Sequence, residues 1–258
     1  MRPNSISRRR FLSGLLLAAP LAVWADAFKL EPDWVAIRHV RLGAGGHRLA
    51  HFSDLHHKGD AGYLRRVVNQ INALKPDFAC FTGDLVEEKK FLPETLAILA
   101  EIQVPLFGVP GNHDFWSHID FAEVRRCFAA TGGAWLVDEH REFAGGKINI
   151  IGISCKYVTE PLAPVILGGK NILLLHYPAQ AKHLGPQKFD LLLAGHSHGG
   201  QVRLPFIGAL FLPSRVDEYD LGLFQTPAGP MYVNPGIGYI GTASYRFNCR
   251  PEITLLEI

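Results

Sequence analysis

The chain alternates short, almost wholly apolar runs with longer stretches in which apolar residues return every three or four positions. The short runs predict buried strands at 48–52, 77–82, 104–109, 171–175 and 190–194, and the longer ones predict helices at 61–74, 93–102, 119–131 and 178–184. Strand followed by helix, repeated, is the pattern of an α/β fold with parallel or mixed sheets. Each predicted strand runs straight into a segment rich in Asp, Asn, His and Gly, so the polar chemistry gathers at strand ends, where sites of α/β folds lie. The segment 201–213 departs from both patterns, being mostly apolar just beyond such a polar cluster. It is expected to be a strand and turn packed in the core. The alternative is an apolar lip that dips into lipid or receives an acyl chain, with Phe115 and Trp116 lining the same mouth.

The polar clusters follow one another as Asp54-Leu55-His56, Gly83-Asp84, Gly111-Asn112-His113-Asp114, His176 and Gly195-His196-Ser197-His198. Asp54, His56, Asp84, Asn112, His176, His196 and His198 offer carboxylate, amide and imidazole donors and no thiolate. That mixture suits manganese, iron, zinc or cobalt in an open hydrolytic site better than a structural zinc knot. Singly the clusters are weak, since a lone histidine after a strand is more often a packed core residue. Together and in this order they read as a two-metal site for hydrolysis of a phosphate ester. The remaining histidines, His39, His47, His51, His57, His118, His140 and His183, match no cluster and are expected at the surface or in packing, with His57 pointing away from His56.

The ordered set DxH, GD, GNHD, lone His and GHSH over residues 47–200 resembles the calcineurin-like metallophosphoesterase superfamily. The resemblance implies a four-layer αββα sandwich, two mixed sheets flanked by helices. It also implies two divalent metals: Asp54, His56 and His198 on the first, Asn112, His176 and His196 on the second, and Asp84 between them. A hydroxide bridging the metals would be the nucleophile and His113 the general acid, with Asp114 either orienting His113 or serving structure.

Ser7-Arg8-Arg9-Arg10-Phe11-Leu12, the apolar stretch that follows and the small residues Ala25-Asp26-Ala27 resemble a twin-arginine export signal. Pro20 interrupts the apolar stretch, which falls short of the ~20 residues a spanning helix needs. The expected organisation is therefore a signal segment at 1–27 and one catalytic domain at 28–258. Its partner would be the twin-arginine export machinery, and its location the periplasm or the outer face of the inner membrane, anchored there if the leader is not cleaved. The formal charge of +2 owes its excess to the leader arginines, leaving the domain near neutral without the basic footprint of a nucleic-acid enzyme. Phosphate recognition is left to the metals, with Arg203, Arg215 and Arg246 as additional candidates. Cys80, Cys127, Cys155 and Cys249 are widely spaced and read as buried free thiols rather than a disulfide framework, while an oxidising compartment would permit a bridge.

The leader, the GHSHGGQ segment and the tail 245–253 together resemble a bacterial phosphodiesterase subgroup related to UDP-2,3-diacylglucosamine pyrophosphatases of lipid A synthesis. The implied reaction is hydrolysis of a phosphodiester or pyrophosphate, on a lipid-linked substrate such as UDP-2,3-diacylglucosamine. That precursor is made on the cytoplasmic face, so with an export leader either the leader is a retained anchor or the substrate differs. The alternatives are a phosphomonoesterase or phosphoprotein phosphatase, and a noncatalytic metal-binding envelope protein.

Overall fold

A computed structural model describes residues 20, 23–43, 46–155, 168–241 and 244–258. The twin-arginine motif and most of the apolar stretch after it lie outside the described residues. The first sheet is built from β1 (Ala36–Arg41), β2 (Arg48–Phe52), β3 (Phe78–Phe81), β4 (Leu106–Gly108) and β5 (Ala134–Trp135). The second takes β6 (Glu139–Phe143), β7 (Ile148–Gly152), β8 (Lys170–Leu174), β9 (Leu191–Ala194), β12 (Gly222–Thr226) and β13 (Gly229–Val233). A separate hairpin comprises β10 (Arg203–Leu204) and β11 (Gly208–Ala209), and β14 (Glu252–Glu257) returns to the first sheet. The orders are β1-β14-β2-β3-β4-β5 and β12-β13-β9-β8-β7-β6. Both sheets are mixed: β14 runs antiparallel to β2, and β12 and β6 run antiparallel to their neighbours, while the central strands are parallel.

Side-chain alternation along the strands explains the layering. Leu49, Phe78, Cys80 and Phe107 from one sheet meet Ile150, Ile172, Leu174 and Leu193 from the other in a shared central core. Ala50, Phe52, Ala79 and Phe81 point the opposite way, beneath helices α1 (Ala61–Leu74), α2 (Leu92–Leu99) and α4 (Phe121–Ala130). Helix α1 buries Leu64, Val67, Val68 and Ile71 on one stripe, is capped by Asp60 accepting from the Tyr63 N–H, and ends at Lys75 in the left-handed region. Outside the second sheet, Ile151, Leu173 and Leu192 pack under a 3-10 helix (Pro178–Lys182) and the segments around Phe189 and Tyr219. The helix expected at 178–184 is therefore a 3-10 turn. Pro178 opens it and Gly185-Pro186 closes it, leaving too few residues for a buried α-helical stripe.

The stretch 201–213 corrects its leading expectation, since it does not pack in the core. Phe206, Ile207 and Phe211 stand exposed on and beside the β10–β11 turn. Among the described residues no helix is long and apolar enough to cross a membrane.

Residues at the 27/28 boundary are part of the packed structure. Ala27 is buried within a π-helical turn (Asp26–Leu30), and its carbonyl accepts the Arg246 N–H at 2.9 Å. The Arg246 side chain is itself buried and donates to the carbonyls of Pro235, Gly236, Gly238 and Cys249. It thereby fixes the loop whose Ile237 and Gly238 N–H groups bond the carbonyls of Ser53 and Asp54. Arg246→Met leaves these carbonyls without their cationic donor and is expected to lower the unfolding free energy by about 2–4 kcal/mol, read from urea titration as a lower midpoint at unchanged slope.

Candidate metal centre

The polar segments leave their strands through backbone conformations that a side chain normally avoids. Asp54, His56, Asp84, His196 and His198 have φ of 50°, 39°, 66°, 67° and 50°, all in the left-handed region. Non-glycine residues persist there only when the surroundings fix them, and they concentrate at functional sites. The glycines of the motifs supply the room. A Cβ on Gly111 would lie 2.1 Å from Asp84 Oδ1, and one on Gly195 would lie 1.9 Å from Ser53 Oγ.

All seven expected ligands converge on one buried site at the ends of β2, β3, β8 and β9 and the start of α3 (Asn112–Trp116). Their donor atoms form two groups. Asp54, His56 and His198 are one, with His56 Nε2 3.1 Å from His198 Nε2 and His198 Nε2 3.5 Å from Asp54 Oδ1. Asp84, His176 and His196 are the other, joined by Asn112, whose Oδ1 lies 2.9 Å from His176 Nε2. Asp84 Oδ2 stands 3.4 Å from both His56 Nε2 and His176 Nε2, between the two groups.

The histidine tautomers follow from the far sides of the rings. His176 Nδ1 lies 2.7 Å from the Thr82 carbonyl and His196 Nε2 lies 2.9 Å from the Ser214 carbonyl, so each of these nitrogens carries the hydrogen. That leaves His176 Nε2 and His196 Nδ1 as lone-pair donors. His56 Nδ1 donates in the same way to Glu87 Oε2 at 2.9 Å. Two imidazole nitrogens face each other 3.1 Å apart beside two buried carboxylates, an arrangement satisfied by a hydrogen shared between the rings or by a bound cation. Nitrogen and oxygen donors without sulfur, their second atoms anchored to carbonyls and a carboxylate, fit divalent first-row metals.

In the metal-free protein protons take that cationic role unevenly. Burial opposes protonation of His176, but the charge of Asp84 and its hydrogen bond, with Asp54, raise its pKa to about 9. Burial also works against ionised Asp84, yet His176 and His56 hold its carboxyl far below the usual range. His196 is pushed down to about 3 by burial and by the charge of His176, and His198 is likewise lowered by burial.

His113 sits at the rim, its ring 4.5 Å from His56 and 4.9 Å from the exposed Trp116, its Nδ1 3.4 Å from Glu87 Oε2. Asp114 points away from it and accepts the backbone N–H groups of Asp84, Leu85 and Gly111 at 2.8–2.9 Å, which makes it a clamp on the Asp84 backbone. Glu87, which touches both His56 and His113, was missed from sequence; a half-exposed glutamate beside Glu88 carries no signal that separates it from an ordinary surface acid. His57, itself buried, bonds Glu94 at 2.7 Å while His56 bonds Glu87. Arg246 is structural and Arg203 is tied to Asp220 at 2.7 Å, whereas Arg215 lies 4.9 Å over the Tyr177 ring, which in turn packs on His196. The four cysteines are free.

Paired donor clusters at the strand ends of a two-sheet α/β core define a metal-binding hydrolase. The chain belongs to the calcineurin-like phosphoesterase family, whose model matches residues 47–200. It is 29% identical to the metallophosphoesterase YkuE of Bacillus subtilis, over 99% of this chain and 98% of that protein. It is 28% identical to the phosphodiesterase YaeI of Escherichia coli, over 98% and 99%, and 26% identical to the UDP-2,3-diacylglucosamine pyrophosphatase LpxG of Chlamydia trachomatis, over 94% of each. Among solved structures, a dimetal phosphatase from Danio rerio aligns over 83% of this chain and 99% of that one at 11% identity, with a TM-score of 0.49.

Proton and metal compete for the same donors, which gives a pH dependence of known sign. A histidine raised from 6.5 to about 9 stabilises the folded metal-free chain fully below pH 6.5, and that contribution is lost as pH rises through about 9. Over the same window metal affinity rises, because binding no longer has to displace the His176 proton. Melting of the metal-free protein and calorimetric proton release on manganese addition at pH 6.5, 7.5 and 9 are expected to show falling stability and shrinking proton release.

Proposed function

We propose that this metallophosphoesterase is a dinuclear metal-dependent phosphodiesterase that cleaves a phosphodiester or pyrophosphate bond in a lipid-linked substrate. The observation that carries this reading is the pair of donor groups sharing Asp84, with His113 at their rim. Asp54, His56 and His198 would hold one cation, Asn112, His176 and His196 the other, and Asp84 both. Divalent ions bound there, with manganese the first to try, supply charge neutralisation for phosphoryl oxygens and activation of water near neutral pH. Glu87 orients His56 and stands beside His113. Burial and the His56 charge lower the His113 pKa in the free site. An anionic phosphate reverses that electrostatic balance, leaving His113 charged and able to donate its proton to the departing oxygen.

Similarity to YaeI and LpxG over nearly the whole chain supports a diester or pyrophosphate, and LpxG supports a lipid-linked one. We further assign residues 1–27 to twin-arginine export and place the domain at the outer face of the inner membrane, on the sequence of the leader alone. Export and hydrolysis of a precursor made on the cytoplasmic face exclude one another. Turnover of UDP-2,3-diacylglucosamine in the cell requires a leader that anchors the domain on the cytoplasmic face without exporting it, and absence of that turnover alongside diester activity points to another lipid-linked phosphate.

The first test compares bis-nitrophenyl phosphate with nitrophenyl phosphate on the manganese-loaded protein. Diester preference is expected. Preference for the monoester would move the assignment to a phosphatase, and silence on both, with two metals bound, to a binding protein. Asp84→Ala is expected to abolish both activity and metal binding. His113→Ala is expected to lower kcat by at least about 100-fold while metal content, read by atomic emission, stays at the wild-type level. Metal loss in step with activity would make His113 a ligand.

A further inference from the structure

The turn of the β10–β11 hairpin projects away from every core cluster. Phe206 is fully exposed, Ile207 is 73% exposed, and the nearby Phe211 is 84% exposed. From Leu204 to Ser214 the chain carries no charge. Phe206 has φ 67°, where Gly or Asn is relaxed and a bulky side chain is strained, so the sequence keeps a large apolar group at a position that buries none of it.

This turn is not isolated. Phe211, Leu212, Ile240 and Tyr245 line a cavity of about 360 Å³ whose wall includes His198. Tyr245 meets Phe28 at 5.9 Å, and Phe28 stacks on Trp24 at 5.6 Å, both of them exposed. The apolar surface thus runs from the hairpin to Val23 and Trp24. The residues that lead into this point in the sequence, 11–22, hold no charged side chain and follow Arg8-Arg9-Arg10.

We propose that this face, with Phe206 and Ile207 foremost, docks the domain on a phospholipid surface and turns the cavity beside His198 toward it. The inference rests on the lipid-linked reading for its substrate but not for the contact itself. A convex tip of two apolar side chains suits a wedge between headgroups, where side chains reach the acyl boundary, better than a flat interface with a second copy. In sequence, the uncharged stretch 11–22 runs directly into Val23 and Trp24, which stand exposed at one end of this face. Such a contact depends on apolar burial and persists in salt that screens exposed charges.

The test is flotation of the full manganese-loaded chain with phosphatidylethanolamine–phosphatidylglycerol vesicles at high salt, beside the double variant Phe206→Gly/Ile207→Ser. Glycine relaxes the left-handed position, so melting temperature and bis-nitrophenyl phosphate hydrolysis are expected to hold. Vesicle partitioning is expected to fall at least about tenfold. Equal partitioning of the two proteins would overturn the proposal, as would a loss that coincides with a dimer becoming monomer in light scattering. In a second measurement, lipids brominated along the acyl chain are expected to quench a larger fraction of the emission of Phe206→Trp than of the wild type with its four native tryptophans, and an added signal from the introduced tryptophan that brominated and unbrominated lipids leave equal would overturn it too. If neither protein hydrolyses the soluble diester, the proposed reaction fails while the flotation and quenching results still decide the membrane contact.

Discussion

The buried carboxylate of Asp84 is the charge around which the rest of the site is arranged. A lone carboxylate away from water is very costly, and this one is offset by His56 and His176, each 3.4 Å from Oδ2, while Oδ1 accepts the His113 N–H at 2.8 Å. Those partners come from the ends of different strands, so meeting the charge demands that β2, β3 and β8 finish at a common level. Asp114 reinforces the demand from behind by accepting the backbone N–H groups of Asp84 and Leu85. The protonated and metal-loaded forms are then two ways of balancing one negative charge within the same scaffold.

The convergence of the candidate ligands was legible because the packing that confines them is severe enough to leave a sequence mark. Gly111 and Gly195 are required by contacts shorter than any Cβ can make, and each stands directly before a ligand, which is why GN and GH are informative where a solitary histidine is not. The central strands were legible for a related reason: burial on both faces forces unbroken apolar runs such as Leu191–Ala194. What escaped depends on distance along the chain. Glu87 matters only through rings from two other segments, and Arg246 reads as a surface cation until the Pro235–Gly238 carbonyls close on it. The stretch 201–213 misled because apolar composition usually signals burial, and here it marks a projecting turn.

The N-terminal turn belongs to the same economy. Ala27 bonds Arg246, Glu31 Oε2 accepts the Cys249 N–H at 3.2 Å, and the Ala36 N–H reaches the Pro251 carbonyl at 2.7 Å. The segment from Ala27 to Ala36 therefore braces the loop behind Asp54, and the candidate metal centre and this end of the domain share one mechanical support.

The place of β14 sets the order in which such a molecule can be made. This strand lies between β1 and β2, pairing parallel with one and antiparallel with the other, although about two hundred residues separate it from both in sequence. A nascent chain lacking residues 252–257 would hold two early strands with an open slot between them, each exposing unpaired backbone. Strands β2 to β5 pair with one another without β14, but β1 joins the sheet only through it, so the edge of the sheet beside β2 closes only once a strand made about two hundred residues later is available.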